Sequence, residues 1–195
     1  MAFADSDRRS GAALPTAVKV LVAGGFGVGK TTMVGTVSEI SALSTEEVLT
    51  EAGVDVDDLA GIEGKSTTTV ALDFGRITIN PQLILYLFGT PGQTRFWFMW
   101  DELANGALGA VVLVDTRRME SSFPSIDFFE HRGIPFVVAV NQFTGAHQYA
   151  PSEIRSALDL DEGVPVVECD ARKKDGTKLV LGTLVETVLQ ANDAA

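Results

Sequence analysis

Apolar residues recur along this chain with two periods, and their alternation predicts the layout. Runs at 16–23, 107–114 and 135–140 are nearly continuous in Val, Leu and Ala, as strands buried on both faces should be. A shorter run at 164–168 reads the same way. Between them the spacing changes to that of helices: 30–41 with Met33, Val37 and Ile40; 122–131 with Ile126 and Phe129; 152–158; and 176–189 with Leu181, Leu184, Val185 and Val188. Segments 70–77 and 82–88, separated by Asn80-Pro81, predict an antiparallel hairpin. Phe96, Met99, Trp100 and Leu103 follow at i, i+3, i+4 and i+7, a core-facing helical stripe. The order βαββαβαβαβα predicts an α/β domain: a mostly parallel six-stranded sheet with helices on both faces and one antiparallel strand. Such sheets bind ligands at the carboxyl ends of their strands.

Three stretches lack either period. Residues 1–15 are small and polar and predict a disordered tail, and 191–195 a second one, leaving 16–190 as a single domain. Residues 42–69 mix Glu46, Glu47, Asp55, Asp57 and Asp58 with isolated apolar residues and Gly53, Gly61 and Gly64, and read as a long loop. A loop of that length inside a domain is usually functional.

The stretch between the first strand and first helix is Gly24-Gly25-Phe26-Gly27-Val28-Gly29-Lys30-Thr31, which fits G-x-x-x-x-G-K-[ST] at every fixed position. Its flanks, an apolar strand and a helix start, are those of a phosphate-binding loop. Glycines let backbone N–H groups converge on phosphate oxygens, and the helix turns its positive end toward them. Lys30 supplies a point charge, the Thr31 hydroxyl can ligate Mg²⁺, and Thr32 continues the same turn.

Composition narrows the partners. A net charge of −11 argues against binding nucleic acid or anionic lipid. The single cysteine, Cys169, fits a reducing cytoplasm and cannot build a zinc site, and His131 and His147 have no metal-ligand partners at suitable spacing. No run reaches the length of a membrane span, and the first residues carry no basic-then-apolar leader. The expectation is a cytoplasmic protein with no direct membrane insertion, recruited to a membrane only by a partner.

Taken together these motifs resemble the Ras-like small GTPases, and within them the bacterial branch of MglA and the actinobacterial conservon GTPases. The resemblance covers roughly 18–189. It implies GTP/GDP as ligand with Mg²⁺ as cofactor, and a slow GTPase acting as a signalling switch. Thr69, in Thr69-Val70-Ala71-Leu72-Asp73-Phe74, is similar to the first-switch threonine that closes on Mg²⁺ and γ-phosphate. Gly92-Gln93, followed by Arg95-Phe96, resembles the second switch, with the Gly92 amide on γ-phosphate and Gln93 orienting the attacking water. Pro91 marks the MglA-like branch, and Val114-Asp115-Thr116 with Arg117-Arg118 resembles the strand end of Arf-like members. Asn141, Gln142 and Thr144 fall in the base motif. The Ala171 amide, between Asp170 and Arg172, falls where guanine's oxygen is met. The same branch implies a roadblock-type dimer and associated sensor-kinase proteins as partners.

Four departures qualify that pattern. The second-switch aspartate is Gly89, so the site must find a carboxylate elsewhere or hold the metal loosely; Asp115, Asp73 and the acidic loop are the candidates. Phe26 stands where Ras has a glycine beside the γ-phosphate, which predicts a crowded transition state. Thr144 replaces the base-reading aspartate, and losing that bidentate carboxylate costs about 2 kcal/mol or more of base selectivity. An in-built arginine finger is not evident, Lys65 and Arg95 being the nearest cations. The alternative reading is a non-hydrolysing nucleotide-binding or interaction module. Trp97 and Phe98 lie off the helical stripe right after the second switch, and exposed aromatics there predict a partner surface.

Overall fold

β1 (Thr16–Ala23) lies inside a sheet, parallel to β4 (Leu83–Gly89) on one side and β5 (Ala107–Val114) on the other. The computed structural model describes residues 14–41, 43–50, 67–92 and 98–193, with backbone alone for 43–50, 67–71 and 192–193. With β2 (Leu43–Thr50), β3 (Thr67–Asn80), β6 (Phe136–Asn141) and β7 (Val166–Cys169), the sheet order is β2-β3-β4-β1-β5-β6-β7. β3 is antiparallel to both of its neighbours, so it alone runs against the rest. Its turn into β4 is set by Asn80, whose Oδ1 accepts the Gln82 N–H at 2.8 Å.

The six expected strands are all present, as β1 and β3 to β7, and a seventh lies at the edge. β2 corrects the reading of 42–69 as one loop. An edge strand needs no continuous apolar run, and Thr45, Val48 and Thr50 favour extended backbone while Glu46 and Glu47 suit an unpaired edge.

Buried strand residues divide cleanly by parity. Val20, Val22, Leu85, Leu87, Val111 and Leu113 face α1 (Lys30–Val37) and α5 (Lys174–Asp193), where Met33, Val34, Leu181 and Leu184 close one core. Leu21, Ala23, Val112 and Val114 face the other side, under α2 (Phe98–Ala104), α3 (Phe123–Arg132) and α4 (Pro151–Ala157), where Trp100, Phe129 and Ile154 fill the second core. The period-2 strands thus feed two helical layers.

Two helix bounds differ from expectation. α1 stops at Val37 rather than near 41, because Ser38 turns extended and its Oγ accepts the Arg76 N–H at 3.2 Å, an alternative to continuing the helix. α5 runs on to Asp193, so 191–193 belong to the helix rather than to a loose end. Residues 1–13 of the expected tail lie outside the described residues. Among the described residues no helix is long and apolar enough to cross a membrane. The parallel strands end together beside the start of α1, and that end carries the site.

Candidate functional site

Lys30 is the buried centre of the phosphate loop. Its Nζ donates to the carbonyls of Gly24 and Gly25, both at 2.9 Å. Burial drives its pKa from the usual 10.5 down to about 8, the nearby Asp73 carboxylate pulling in the opposite direction. Gly29, at the N-cap of α1, has φ +107°, and a Cβ there would stand 2.6 Å from the Asn141 Nδ2. Both conformation and space require glycine. Asn141, at the end of β6, is the reason for the crowding: Nδ2 donates to the Val28 carbonyl at 2.8 Å, and Oδ1 accepts the Ala171 N–H at 3.0 Å. One buried amide therefore clasps the phosphate loop to the turn after β7.

A cleft of about 360 Å³ opens over the loop, lined by Phe26, Gly27, Gly29, Lys30, Thr31, Thr32, Asp73, Thr90, Pro91 and Gly92. Its polar groups converge. The Thr31 hydroxyl donates to Asp73 Oδ2 at 2.6 Å, and the buried Thr90 hydroxyl has no partner among the described residues. Thr31 and Asp73 are hard oxygen donors, the kind Mg²⁺ takes; among the described residues no group of three or more His, Cys, Asp or Glu comes together as a metal cluster. Gly92 leans on the loop closely enough that a Cβ would meet Lys30 Nζ at 2.6 Å and Phe26 N at 3.0 Å. Phe26 itself is 69% exposed at the rim.

The base side is more committed than the sequence implied. The Ala171 N–H, expected to be free for a guanine oxygen, is taken by Asn141, and Asn141 has both ends of its amide on backbone. Gln142 Nε2 donates to Glu168, while Thr144 is exposed. Arg172 hydrogen-bonds both oxygens of Asp170 and holds that carboxyl down at about pKa 2. Burial, with Asp170 beside it, pushes the Cys169 thiol up to about 12, so it is an inert core group.

Of the three carboxylate candidates, Asp115 drops out. Its oxygens accept Arg117 Nε and Nη2 at 2.9 and 2.8 Å, which lowers its pKa, and it does not line the cleft. Arg118, named in the strand-end motif but given no role there, sends Nη2 to the Phe26 carbonyl at 3.3 Å. Only its place after a strand end pointing at the loop could have signalled this. Gln93, Trp97, Lys65 and Arg95, the acidic residues of 51–66 and the Thr69 side chain lie outside the described residues. Phe98 is described, and is 64% exposed at the start of α2, as its off-stripe position implied.

A family model for conserved hypothetical ATP-binding proteins matches residues 22–191. The chain belongs to that family. The uncharacterized protein MJ1339 of Methanocaldococcus jannaschii is 32% identical over 161 residues, covering 82% of this chain and 89% of the relative. Among solved structures, the chain is similar to the G domain of the Thermotoga FeoB iron transporter ("T. maritima"), with TM-score 0.62 at 19% identity over 88% of this chain and 99% of that one. It is also similar to the FeoB G-domain from Methanococcus jannaschii, with TM-score 0.58 at 16% identity over 89% and 98% of the two chains. At these identities the likeness shows the fold: a P-loop, G-domain-like α/β domain.

Two outcomes follow from the clasp and the buried lysine. Asn141→Ala leaves the Val28 carbonyl and the Ala171 N–H unpaired in a buried place, and should cost about 2–4 kcal/mol, read from urea unfolding. An unchanged midpoint refutes the clasp. For Lys30, a folded pKa below the unfolded value means the folded chain binds fewer protons between about pH 8 and 10.5. The stability of the nucleotide-free wild type, relative to Lys30→Met, should therefore rise with pH through that window and be flat below it; a flat difference throughout shows that the ammonium is not desolvated.

Proposed function

We propose that this protein is a nucleotide-dependent switch of the Ras-like kind, in the MglA-like and conservon branch. It binds GTP and GDP with Mg²⁺ in the cleft over α1 and hydrolyses GTP slowly. The observation that carries the reading is the Asn141 clasp. A phosphate loop serves many reactions, but tying it to the turn after β7 sets a phosphate end and a base end at fixed positions along the ends of β1, β6 and β7. The match to a family described as ATP-binding and the G-domain-like fold support nucleotide binding.

In this reading the backbone N–H groups of the loop and Lys30 bind the phosphates, and Thr31 and Thr69 hold the metal. Magnesium, when bound, neutralises charge on the β and γ oxygens. Gln93 orients a water that attacks the γ-phosphorus as the bond to the β-γ bridging oxygen breaks, leaving GDP and inorganic phosphate, while the Gly92 N–H steadies the γ oxygens. With Phe26 at the rim and no arginine finger evident in the sequence, turnover stays at or below about 10⁻⁴ to 10⁻³ s⁻¹. Segment 93–98 then reports the nucleotide state to a roadblock-type dimer and its sensor kinase in the cytoplasm. The exposed Phe98 supports that surface.

A second reading has two observations in its favour. Thr144 offers guanine no carboxylate, and the family description names ATP, so adenine nucleotides compete for the same site. Chromatography of the nucleotide released from denatured protein decides: guanine nucleotide supports the first reading, adenine nucleotide the second, and an empty site the non-hydrolysing alternative. Lys30→Ala should lose most affinity for whichever nucleotide is found, and equal dissociation constants sink the phosphate assignment. Phe98→Ala should weaken binding of a roadblock-type dimer, measured by calorimetry, and leave the melting temperature within about 1 °C of wild type, as for other exposed substitutions. A variant that melts several degrees lower places Phe98 in the core.

A further inference from the structure

The turn after β5, Asp115-Thr116-Arg117-Arg118, carries one buried carboxylate and two arginines, and neither arginine takes part in the hydrolysis proposed above. Asp115 accepts from Nε and Nη2 of Arg117 at 2.9 and 2.8 Å, a bidentate pair that engages both of its oxygens. Arg118 has only long contacts among the described residues: Nη2 lies 3.5 Å from Asp115 Oδ2 and 3.3 Å from the Phe26 carbonyl. Its side chain is half exposed, and a guanidinium has five N–H donors, so most of them remain for a further acceptor. We propose that Arg118 contacts the terminal phosphate of a bound nucleoside triphosphate and so sets the preference for triphosphate over diphosphate. The proposal rests on reading the cleft as a nucleotide site.

Position carries the argument. The chain that bears Arg118 packs against three consecutive residues of the phosphate loop. A Cβ on Gly25 would stand 2.4 Å from Ser121 Oγ, the Phe26 carbonyl accepts from Arg118, and a Cβ on Gly27 would meet Arg118 Nη2 at 3.7 Å and, among the described residues, nothing else nearby. Gly27 lines the cleft, so its missing side chain leaves the path from Arg118 into the cleft open. This is the end where the last phosphate lies: Gly92, whose N–H steadies the γ oxygens in the functional reading, comes so close that a Cβ there would stand 3.0 Å from the Phe26 nitrogen. The α- and β-phosphates are cradled by the loop's own N–H groups. A cation at this rim therefore distinguishes nucleotides by whether a third phosphate is present.

Charge explains why the turn holds two arginines. A buried carboxylate is costly without a cation beside it. Arg117, whose guanidinium also lies 4.0 Å over the Phe143 ring, meets that need for Asp115. Arg118 then keeps its charge for another anion, and the loop beside it is built for one. The contact is made both in the bound triphosphate and while its bond breaks. Such uniform binding raises affinity without raising turnover, in keeping with slow hydrolysis.

Calorimetric dissociation constants for guanosine 5′-[β,γ-imido]triphosphate and for GDP, each with excess magnesium, test this without reference to turnover; the adenine counterparts take their place if adenine nucleotide is what the protein releases. Arg118→Ala should weaken the triphosphate analogue about tenfold or more, the loss of one charge-assisted hydrogen bond, and leave GDP within about twofold of wild type. Arg117→Ala should lower the triphosphate-to-diphosphate ratio as well, although Arg118 is still present, because the buried Asp115 then draws Arg118 off the loop. Equal losses for both nucleotides in a folded Arg118→Ala make the residue a brace of the loop and overturn the proposal, as does a ratio unchanged from wild type. A folded Arg117→Ala with the wild-type ratio overturns it too. Each of these results leaves nucleotide binding itself standing; wild type that binds neither nucleotide overturns the functional reading along with the proposal.

Discussion

A protonated amine buried in the phosphate loop is the constraint on which the rest of this site depends. Depressing Lys30 to about pKa 8 corresponds to roughly 3 kcal/mol against its charged form. The surroundings offset part of that. Two loop carbonyls turn inward to accept from Nζ, Asp73 brings a negative charge from β3, and Gly92 packs so closely that a Cβ would stand 2.6 Å from the ammonium and 3.0 Å from the Phe26 backbone nitrogen. An anion bound in the cleft would restore the charge that burial disfavours. The loop is therefore strained electrostatically when empty, which is how a binding site stores preference for its ligand.

Much of this was legible in the sequence, and the exceptions have physical causes. Strands 16–23 and 107–114 fall where continuous apolar runs put them, since a strand buried on both faces has no other way to be written. β2 was not legible because an edge strand is stabilised by backbone pairing with β3, and its side chains need carry no core pattern. The phosphate loop was legible down to Lys30 and Thr31, as backbone geometry there admits few residues. Asp73 appeared only as one of three acidic candidates: its place in the cleft beside Thr31 depends on how β3 pairs with β4, and Asp115 is set aside because Arg117 holds it. Arg118 was visible in the strand-end motif but without a role, because its reach to the Phe26 carbonyl depends on how the turn after β5 folds over the loop.

The two ends of the site differ in how much they leave for a ligand. At the phosphate end, among the described residues, the Thr90 hydroxyl is unpartnered and Asp73 meets one neutral donor. At the other end the polar groups are already bonded: Asn141 to Val28 and Ala171, Gln142 to Glu168, Asp170 to Arg172. A base that uses the Ala171 N–H must first displace Asn141 Oδ1, a bond worth about 0.5–1.5 kcal/mol net, whereas Asn141 Nδ2 and Gln142 Nε2 each keep a second N–H and the Asp170 carboxylate keeps lone pairs. On the functional reading proposed here, affinity is set by the phosphates and the groups around Lys30, while the choice of base rests on the donors and acceptors that Asn141, Gln142 and Asp170 keep spare.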